Sequence, residues 1–119
     1  MKRDFMLYVD DIIESIQRID DYLFGLDYEQ FAEDLKLVDA VSRRLEIIGE
    51  AVKNIPAETK EKRSDLPWKG IVGMRDVLAH GYFGIDPKRV WNIVKNDLPP
   101  LRQGITALKA DIELEEKDK

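Results

Sequence analysis

The chain has 119 residues and a mass of 13.8 kDa, is 44% hydrophobic and 36% charged, and is predicted to form one soluble domain over residues 1–119. With no cysteine and one histidine, it excludes a disulfide framework and a His-rich zinc site within one chain, and we expect no metal and no cofactor. Because no segment has the about 20 apolar residues of a membrane span and no signal peptide is recognisable, we expect a cytoplasmic protein.

The formal net charge of −5 is unevenly distributed along the chain. Residues 1–61 contain 8 Lys and Arg against 15 Asp and Glu, whereas residues 62–109 contain 9 against 4. The single histidine, His80, therefore lies in the one basic stretch of an acidic protein. Because a local field attracts a phosphate more directly than the overall isoelectric point does, the net charge does not exclude a nucleic-acid partner.

Two amphipathic helices are predicted in the first half of the chain. Apolar residues recur every three or four positions from Phe5 to Leu23, which is typical of a helix with one buried face, and Gly25 follows as a C-cap. Asp27 is the predicted N-cap of a second, longer helix, whose apolar stripe comprises Phe31, Leu35, Val38, Val41, Leu45, Ile48, Val52 and Ile55 before Pro56 ends it. Gly49 inside that stripe indicates a close helix–helix approach, since an interior glycine costs about 1 kcal/mol.

Three further helices are predicted after a polar loop. The first begins at Asp65-Leu66-Pro67-Trp68 and ends near Ala79, and Asp86-Pro87 marks the start of the next. Pro99-Pro100 is expected to break that helix before a last one runs from Leu101 through Ile112 into a frayed acidic tail, residues 113–119. No strand pattern competes. We therefore predict an all-α fold, an antiparallel four-helix bundle with an additional short helix.

The candidate site lies in the segment RDVLAHGYFGID, residues 75–86. Taken alone, His80 also fits a helix-terminal residue that interacts with the negative end of the helix dipole. Asp76, four residues earlier, can share its face and orient the imidazole, whereas Arg75 lies about 140° away on a regular helix and converges only if the helix unwinds at His80. Tyr82 either contributes its hydroxyl or only packs its ring.

The pattern Arg75-Asp76-x-x-x-His80-x-Tyr82 resembles the Arg-polar-x-x-x-His motif of HEPN domains, in the variant with a following tyrosine that is found in HepT-like toxins. The run RRLEIIGEA, residues 43–51, resembles the second-helix signature of that family, and WKGIVGM, residues 68–74, resembles its approach to the motif. The resemblance covers roughly residues 3–110, and the family's helical bundle agrees with the predicted all-α layout.

This resemblance implies a homodimeric, metal-independent endoribonuclease toxin whose composite cleft lies at the dimer interface and whose nucleophile is the RNA 2′-hydroxyl. By position, His80 would be the acid–base residue, Arg75 the phosphate clamp and Asp76 their polar partner. Tyr82 matches the tyrosine to which a nucleotidyltransferase antitoxin of the MntA type attaches AMP. The expected partners are therefore RNA, that antitoxin and a second copy of the chain, with no membrane.

Two other functions remain open from the residues. HEPN-like bundles also act as non-catalytic helper or substrate-binding subunits of a nucleotidyltransferase, and a purely structural helical dimer would have the same apolar pattern. Cleavage of RNA that depends on His80 distinguishes the nuclease from both.

Other residues allow a structural and a functional interpretation. Trp68 and Trp91 are more typical of core anchors than of base-stacking platforms. Glu46 and Glu50 lie one turn apart, but they favour salt bridges or an interface over a metal site because their helix has no histidine. The cations Lys88, Arg89 and Lys95 form either a solvated face or a track for an RNA backbone.

Overall fold

The computed structural model describes residues 5–72 and 85–117, which are largely helical and contain no strand. In chain order the elements are α1 (Met6–Leu23), α2 (Tyr28–Glu33), α3 (Leu35–Lys53), α4 (Ala57–Glu61), α5 (residues 68–72), α6 (Pro87–Asn92), a π-helical turn (Ile93–Asp97) and α7 (Leu98–Lys117). The predicted all-α fold class is confirmed, while the count of four main helices stays a prediction.

The core is built mainly from α1, α3 and α7, with α1 packed against both of the others. Their apolar stripes are buried as the helical periodicity predicts. The fully buried side chains of these helices are Val9, Ile12, Ile19, Val41, Leu45, Ile48, Val52, Leu101, Ile105 and Leu108. Since burying one such side chain is worth about 1.5–3 kcal/mol, this three-helix contact supplies most of the hydrophobic stabilisation among the described residues.

The local signals around the first turn are confirmed. Gly25 adopts φ +78°, the left-handed conformation expected after a helix C-terminus, and Leu26 N–H donates to Leu23 O at 3.0 Å. Asp27 then caps α2 by accepting from Gln30 N–H at 2.9 Å, and the Gln30 side chain accepts from Asp27 N–H at 3.0 Å. This reciprocal pair is a capping box, which fixes the start of α2.

The prediction of one unbroken helix from Asp27 to Ile55 is wrong. Asp34 leaves the helical conformation, with φ −99° and ψ 92°, and its carboxylate caps a new helix by accepting from Leu37 N–H at 3.1 Å. The break changes the rotation of the chain, so that Phe31 is fully buried but Leu35, placed in the stripe by its spacing, is 71% exposed. An aspartate can end one helix and begin the next because its side chain competes for backbone N–H groups.

The prediction that Pro99-Pro100 breaks the chain into two helices is also wrong. α6, the π-helical turn and α7 follow one another without interruption from Pro87 to Lys117, here called the C-terminal helical path. Proline has no N–H to donate to the preceding turn, and the path accommodates the pair by widening just before it, where Leu98 N–H bonds to Ile93 O. Helix therefore continues where two prolines favour a stop.

The acidic end of the chain continues α7 as far as Lys117, and there Glu115 pairs with Lys62. None of the helices in the two described ranges is long and apolar enough to cross a membrane.

Candidate functional site

The predicted site residues Arg75, Asp76, His80 and Tyr82 lie in residues 73–84, outside the described residues. Their mutual geometry therefore stays a prediction. The structure describes the chain on both sides of them, and these two flanks are the described residues nearest to the motif in the sequence.

The upstream flank is anchored by Trp68 and Ile71. The helix begins at Trp68 as predicted, and its first helical hydrogen bond runs from Ile71 N–H to Pro67 O at 3.1 Å. The Trp68 indole Nε1–H donates to Arg63 O at 2.9 Å, while Ile71 is 1% exposed within the core. Trp68 thus serves as a core anchor with its polar atom satisfied, in agreement with its structural interpretation.

A close contact with α7 holds the same flank from the other side. A Cβ atom on Gly104 would lie 2.2 Å from Leu66 Cδ2, so any side chain at this position would force Leu66 to shift. Leu66 is 7% exposed and comes two residues before α5. Arg63, just upstream, pairs with Asp111 on α7 at 3.1 Å. Both contacts attach the start of α5 to the C-terminal helical path.

The downstream flank is a capped helix start. Ile85 packs half-buried on the core, and the Asp86 carboxylate accepts from Lys88 N–H at 3.0 Å. Pro87 occupies the first turn and Val90 is fully buried. The predicted Asp-Pro helix start is confirmed, and the cap fixes the direction in which α6 leaves the motif segment.

α6 packs against α2 through aromatic rings. The Trp91 ring centroid lies 5.4 Å from that of Phe31 and 5.8 Å from that of Tyr28, the latter in an edge-to-face arrangement. Lys88 Nζ lies 4.5 Å from the Tyr28 centroid and Lys95 Nζ 4.6 Å from the Trp91 centroid. These distances are those of cation–π contacts, and they place both lysines beside one aromatic pair.

Of the two cation–π contacts, one is predictable from the sequence and the other is not. Lys95 follows Trp91 by four residues, a helical spacing that predicts the contact. Lys88 and Tyr28 are 60 positions apart, and no sequence signal joins them. Trp91 packs as a core anchor, as its structural interpretation predicts.

The run that resembles the second-helix signature lies on α3. Leu45, Ile48 and Gly49 of this run are buried, and Arg44 Nη1 lies 3.5 Å from Ser15 Oγ on α1. An open groove between α1 and α3 is lined by Tyr8, Asp11, Arg43, Glu46, Ile47, Glu50 and Ala51. Within residues 5–72 and 85–117, no group of three or more His, Asp or Glu side chains is arranged to hold a metal ion.

Comparison with known proteins agrees with the resemblance of the motif. The family described as "Ribonuclease HepT-like" matches residues 12–108. A Thermococcus cleftensis protein named "Probable ribonuclease HepT" is 44% identical over 102 residues, which cover 86% of this chain and 93% of that protein. A Methanocaldococcus jannaschii protein named "Putative RNase" is 39% identical over 117 residues, 98% of this chain and 97% of that protein.

A second Methanocaldococcus jannaschii protein, named "Gamma-glutamylcyclotransferase and putative RNase", is 40% identical over all 119 residues, and the chain spans 54% of its length. The comparison with solved structures found no match to this chain. The family match and the relatives confirm both the predicted family and the predicted enzyme class of ribonuclease. The chain belongs to the HepT-like ribonuclease family.

Proposed function

We propose that this protein is the endoribonuclease toxin of a two-component module and that it cleaves RNA at a site composed of residues 75–82 from two subunits. The observation that carries the proposal is the position of the Arg75–His80 motif. It lies inside the matched range 12–108 and between two helix starts that are held on the core.

The proposed reaction is a transesterification. The RNA 2′-oxygen attacks the neighbouring phosphorus, the bond from phosphorus to the 5′-oxygen breaks, and the products are a 2′,3′-cyclic phosphate and a 5′-hydroxyl. One group must accept the 2′-hydroxyl proton and another must donate a proton to the leaving oxygen. An unperturbed imidazole has a pKa of ~6.5, so one neutral and one charged His80 in a two-fold dimer can fill both roles near neutral pH.

The remaining motif residues have supporting roles in this proposal. The planar guanidinium of Arg75 suits two non-bridging phosphate oxygens as charge develops on them. The Asp76 carboxylate orients the imidazole. AMP on the Tyr82 hydroxyl would add negative charge and bulk where the substrate phosphate enters, which is how an MntA-like nucleotidyltransferase would neutralise the toxin.

The test is RNA cleavage by purified protein in EDTA, with wild type, His80→Ala and Arg75→Lys prepared identically. We expect cyclic-phosphate ends from the wild type and a loss of about 10²–10⁴-fold for His80→Ala, the usual value of general acid–base catalysis. Arg75→Lys keeps the charge but loses the bidentate fork, so its rate also falls. Equal cleavage by wild type and His80→Ala would indicate a contaminating nuclease and overturn the assignment.

The partner is tested by mass spectrometry after incubation with a purified MntA-like nucleotidyltransferase and ATP. Wild type should gain one adenylyl group and lose nuclease activity, whereas Tyr82→Phe should stay unmodified and active. If wild type neither cleaves RNA nor carries AMP on Tyr82, the protein is a non-catalytic helper subunit instead.

A further inference from the structure

The basic side chains of α6 and the π-helical turn lack the carboxylate partners that Arg102 and Lys109 of α7 have. Lys88, Arg89 and Lys95 are exposed, and none of them forms an ion pair with any carboxylate of residues 5–72 or 85–117. The Asp86 carboxylate beside them is engaged in capping the Lys88 backbone. These three residues are called the α6 basic face below.

Two cations of α7, in contrast, are neutralised by aspartates of α1. Arg102 pairs with Asp20, and Lys109 Nζ lies 2.8 Å from Asp10 Oδ1. The α6 basic face therefore carries positive charge that no carboxylate of the described residues neutralises. A surface of this kind attracts a polyanion even on a protein whose net charge is −5.

Two of the three cations are held in place by aromatic rings. Lys88 lies over Tyr28 and Lys95 over Trp91, and the two rings contact each other edge to face at 5.8 Å. One continuous series of contacts thus joins the two ammonium groups. Ordering a free lysine costs side-chain entropy, so a lysine already placed on a ring loses less entropy on binding a phosphate.

The rings themselves are occupied by these contacts. Trp91 is half-buried, with Phe31 and Tyr28 packed around it and Lys95 over its ring. This arrangement favours the two rings as supports for the ammonium groups over platforms for stacked bases.

The α6 basic face also follows the motif directly in the chain. Tyr82 precedes Ile85 by three residues, and three residues of extended chain span at most about 11 Å. Lys88 follows Ile85 by three residues and lies in the first turn of α6. A ligand phosphate near the motif is therefore within reach of this face through its neighbouring nucleotides.

We propose that Lys88 and Lys95, with Arg89, bind the backbone phosphates of single-stranded RNA beside the bond to be cleaved. This inference rests on the proposed ribonuclease function and adds the substrate class. In-line attack by a 2′-oxygen requires a backbone free to leave the regular A-form helix, which favours an unpaired strand. The contacts are with phosphates, so the binding is independent of sequence.

The experiment compares Lys88→Gln/Lys95→Gln with a matched control, Lys53→Gln/Lys117→Gln, which removes the same charge from other exposed helix positions. The probe is a fluorescent 12-nucleotide RNA with 2′-O-methyl groups, which binds but lacks the 2′-hydroxyl nucleophile. Its Kd is measured by anisotropy over a series of salt concentrations. A dinucleotide substrate, which has no flanking phosphates, gives kcat and KM separately.

We expect Lys88→Gln/Lys95→Gln to raise the Kd about tenfold and to lower the salt slope by about 1.4, because each phosphate contact on a single strand contributes about 0.7. The control should stay within about twofold of wild type. Lys88→Arg/Lys95→Arg should retain the affinity, and the control pair Lys53→Gln/Lys117→Gln should cleave the dinucleotide at the wild-type rate.

If both glutamine pairs weaken RNA binding equally, the effect is due to overall charge and the inference is overturned. An unchanged salt slope in Lys88→Gln/Lys95→Gln would also overturn it. These experiments distinguish failure of the proposed ribonuclease function from failure of the proposal that the α6 basic face binds RNA. If the RNA binds through Lys88 and Lys95 but is never cleaved, the surface stands and the nuclease proposal falls. If wild type cleaves RNA while the lysine variants bind it normally, the reverse holds.

Discussion

The two halves of the C-terminal helical path use their basic residues differently. In the α7 half, Arg102 and Lys109 reach across to aspartates of α1. In the α6 half, Lys88 and Lys95 lie on aromatic rings and have no carboxylate partner among the described residues. One continuous helix thus has a half whose charges join it to the core and a half whose charges stay available to a ligand. The overall composition gives only the sum of the charges in the two halves, so it does not reveal this difference.

The largest expected effect is a loss of stability from a substitution in the α7 half. Leu101→Ala should lower the free energy of unfolding by about 2–5 kcal/mol, because this leucine is fully buried and its truncation leaves a cavity. Leu114→Ala, in the same helix at 61% exposure, is the control and should change stability by less than about 0.5 kcal/mol. Urea unfolding measures both, and similar values for the two variants would contradict the central role of α7.

The next effect concerns the contact that holds the motif's upstream flank on α7. Gly104→Ala should destabilise the protein by about 1–3 kcal/mol despite the better helix propensity of alanine, because its Cβ collides with Leu66. Adding Leu66→Ala should recover part of the Gly104→Ala loss, a non-additivity that a double-mutant cycle measures. Gly70→Ala is the control, since nothing lies within 4 Å of its Cβ position and it should be neutral or stabilising.

A smaller loss of stability is expected from a substitution at the start of the α6 half. Asp86→Ala removes the side-chain acceptor for Lys88 N–H and should cost about 1 kcal/mol of stability. Because this cap fixes the first turn of α6, the affinity for the 2′-O-methyl RNA should fall as well. Asp97→Ala is the control: it removes an exposed carboxylate of the same path that caps no helix. If Asp86→Ala lowers stability but leaves the RNA affinity unchanged, the cap is not needed for RNA binding by the α6 basic face.

The smallest effect tests the ion pairs of the α7 half. The hydrogen bond with Asp10 raises the pKa of Lys109 above its ordinary value of 10.5. Its contribution to stability is therefore complete below about pH 10.5 and is lost as the pH rises through the raised pKa of the folded state. Both side chains are partly exposed, so the pair is worth only about 0.2–1 kcal/mol.

Asp10→Asn should accordingly flatten the dependence of the unfolding free energy on pH above about 10. The comparison is made against Asp39→Asn, which neutralises an exposed aspartate of α3 that forms no ion pair within the described residues. An equal change of slope in both variants would mean that general repulsion, not this pair, controls stability at alkaline pH.

Local chemistry made several elements predictable from sequence. Asp27, Gly25 and Asp86 act as caps through their own side chains or backbone conformation, so their signals do not depend on distant residues. The buried faces of α1 and α7 follow the helical periodicity for the same reason. The assignment of Arg75 and His80 as site residues rests on their motif and on the family match that contains it.

The errors arose where distant residues decide between two local possibilities. Leu35 fits the apolar stripe of a longer helix, but Phe31 instead packs on Trp91, and the chain turns at Asp34 to allow it. Pro99-Pro100 favours a break, but burial of Leu98 and Leu101 on either side of the pair outweighs it and the path widens into a π-helical turn.

The sequence by itself determined that this protein is all-α, where most of its helices begin, and that it carries a HepT-like motif, because caps, periodicity and motifs are read within a few residues. Only the tertiary structure decided which cations are neutralised and which remain available. Charge pairing depends on side chains that are far apart in the chain, such as Lys109 with Asp10 and Lys88 with Tyr28. Packing of the helices alone brings these groups within contact distance.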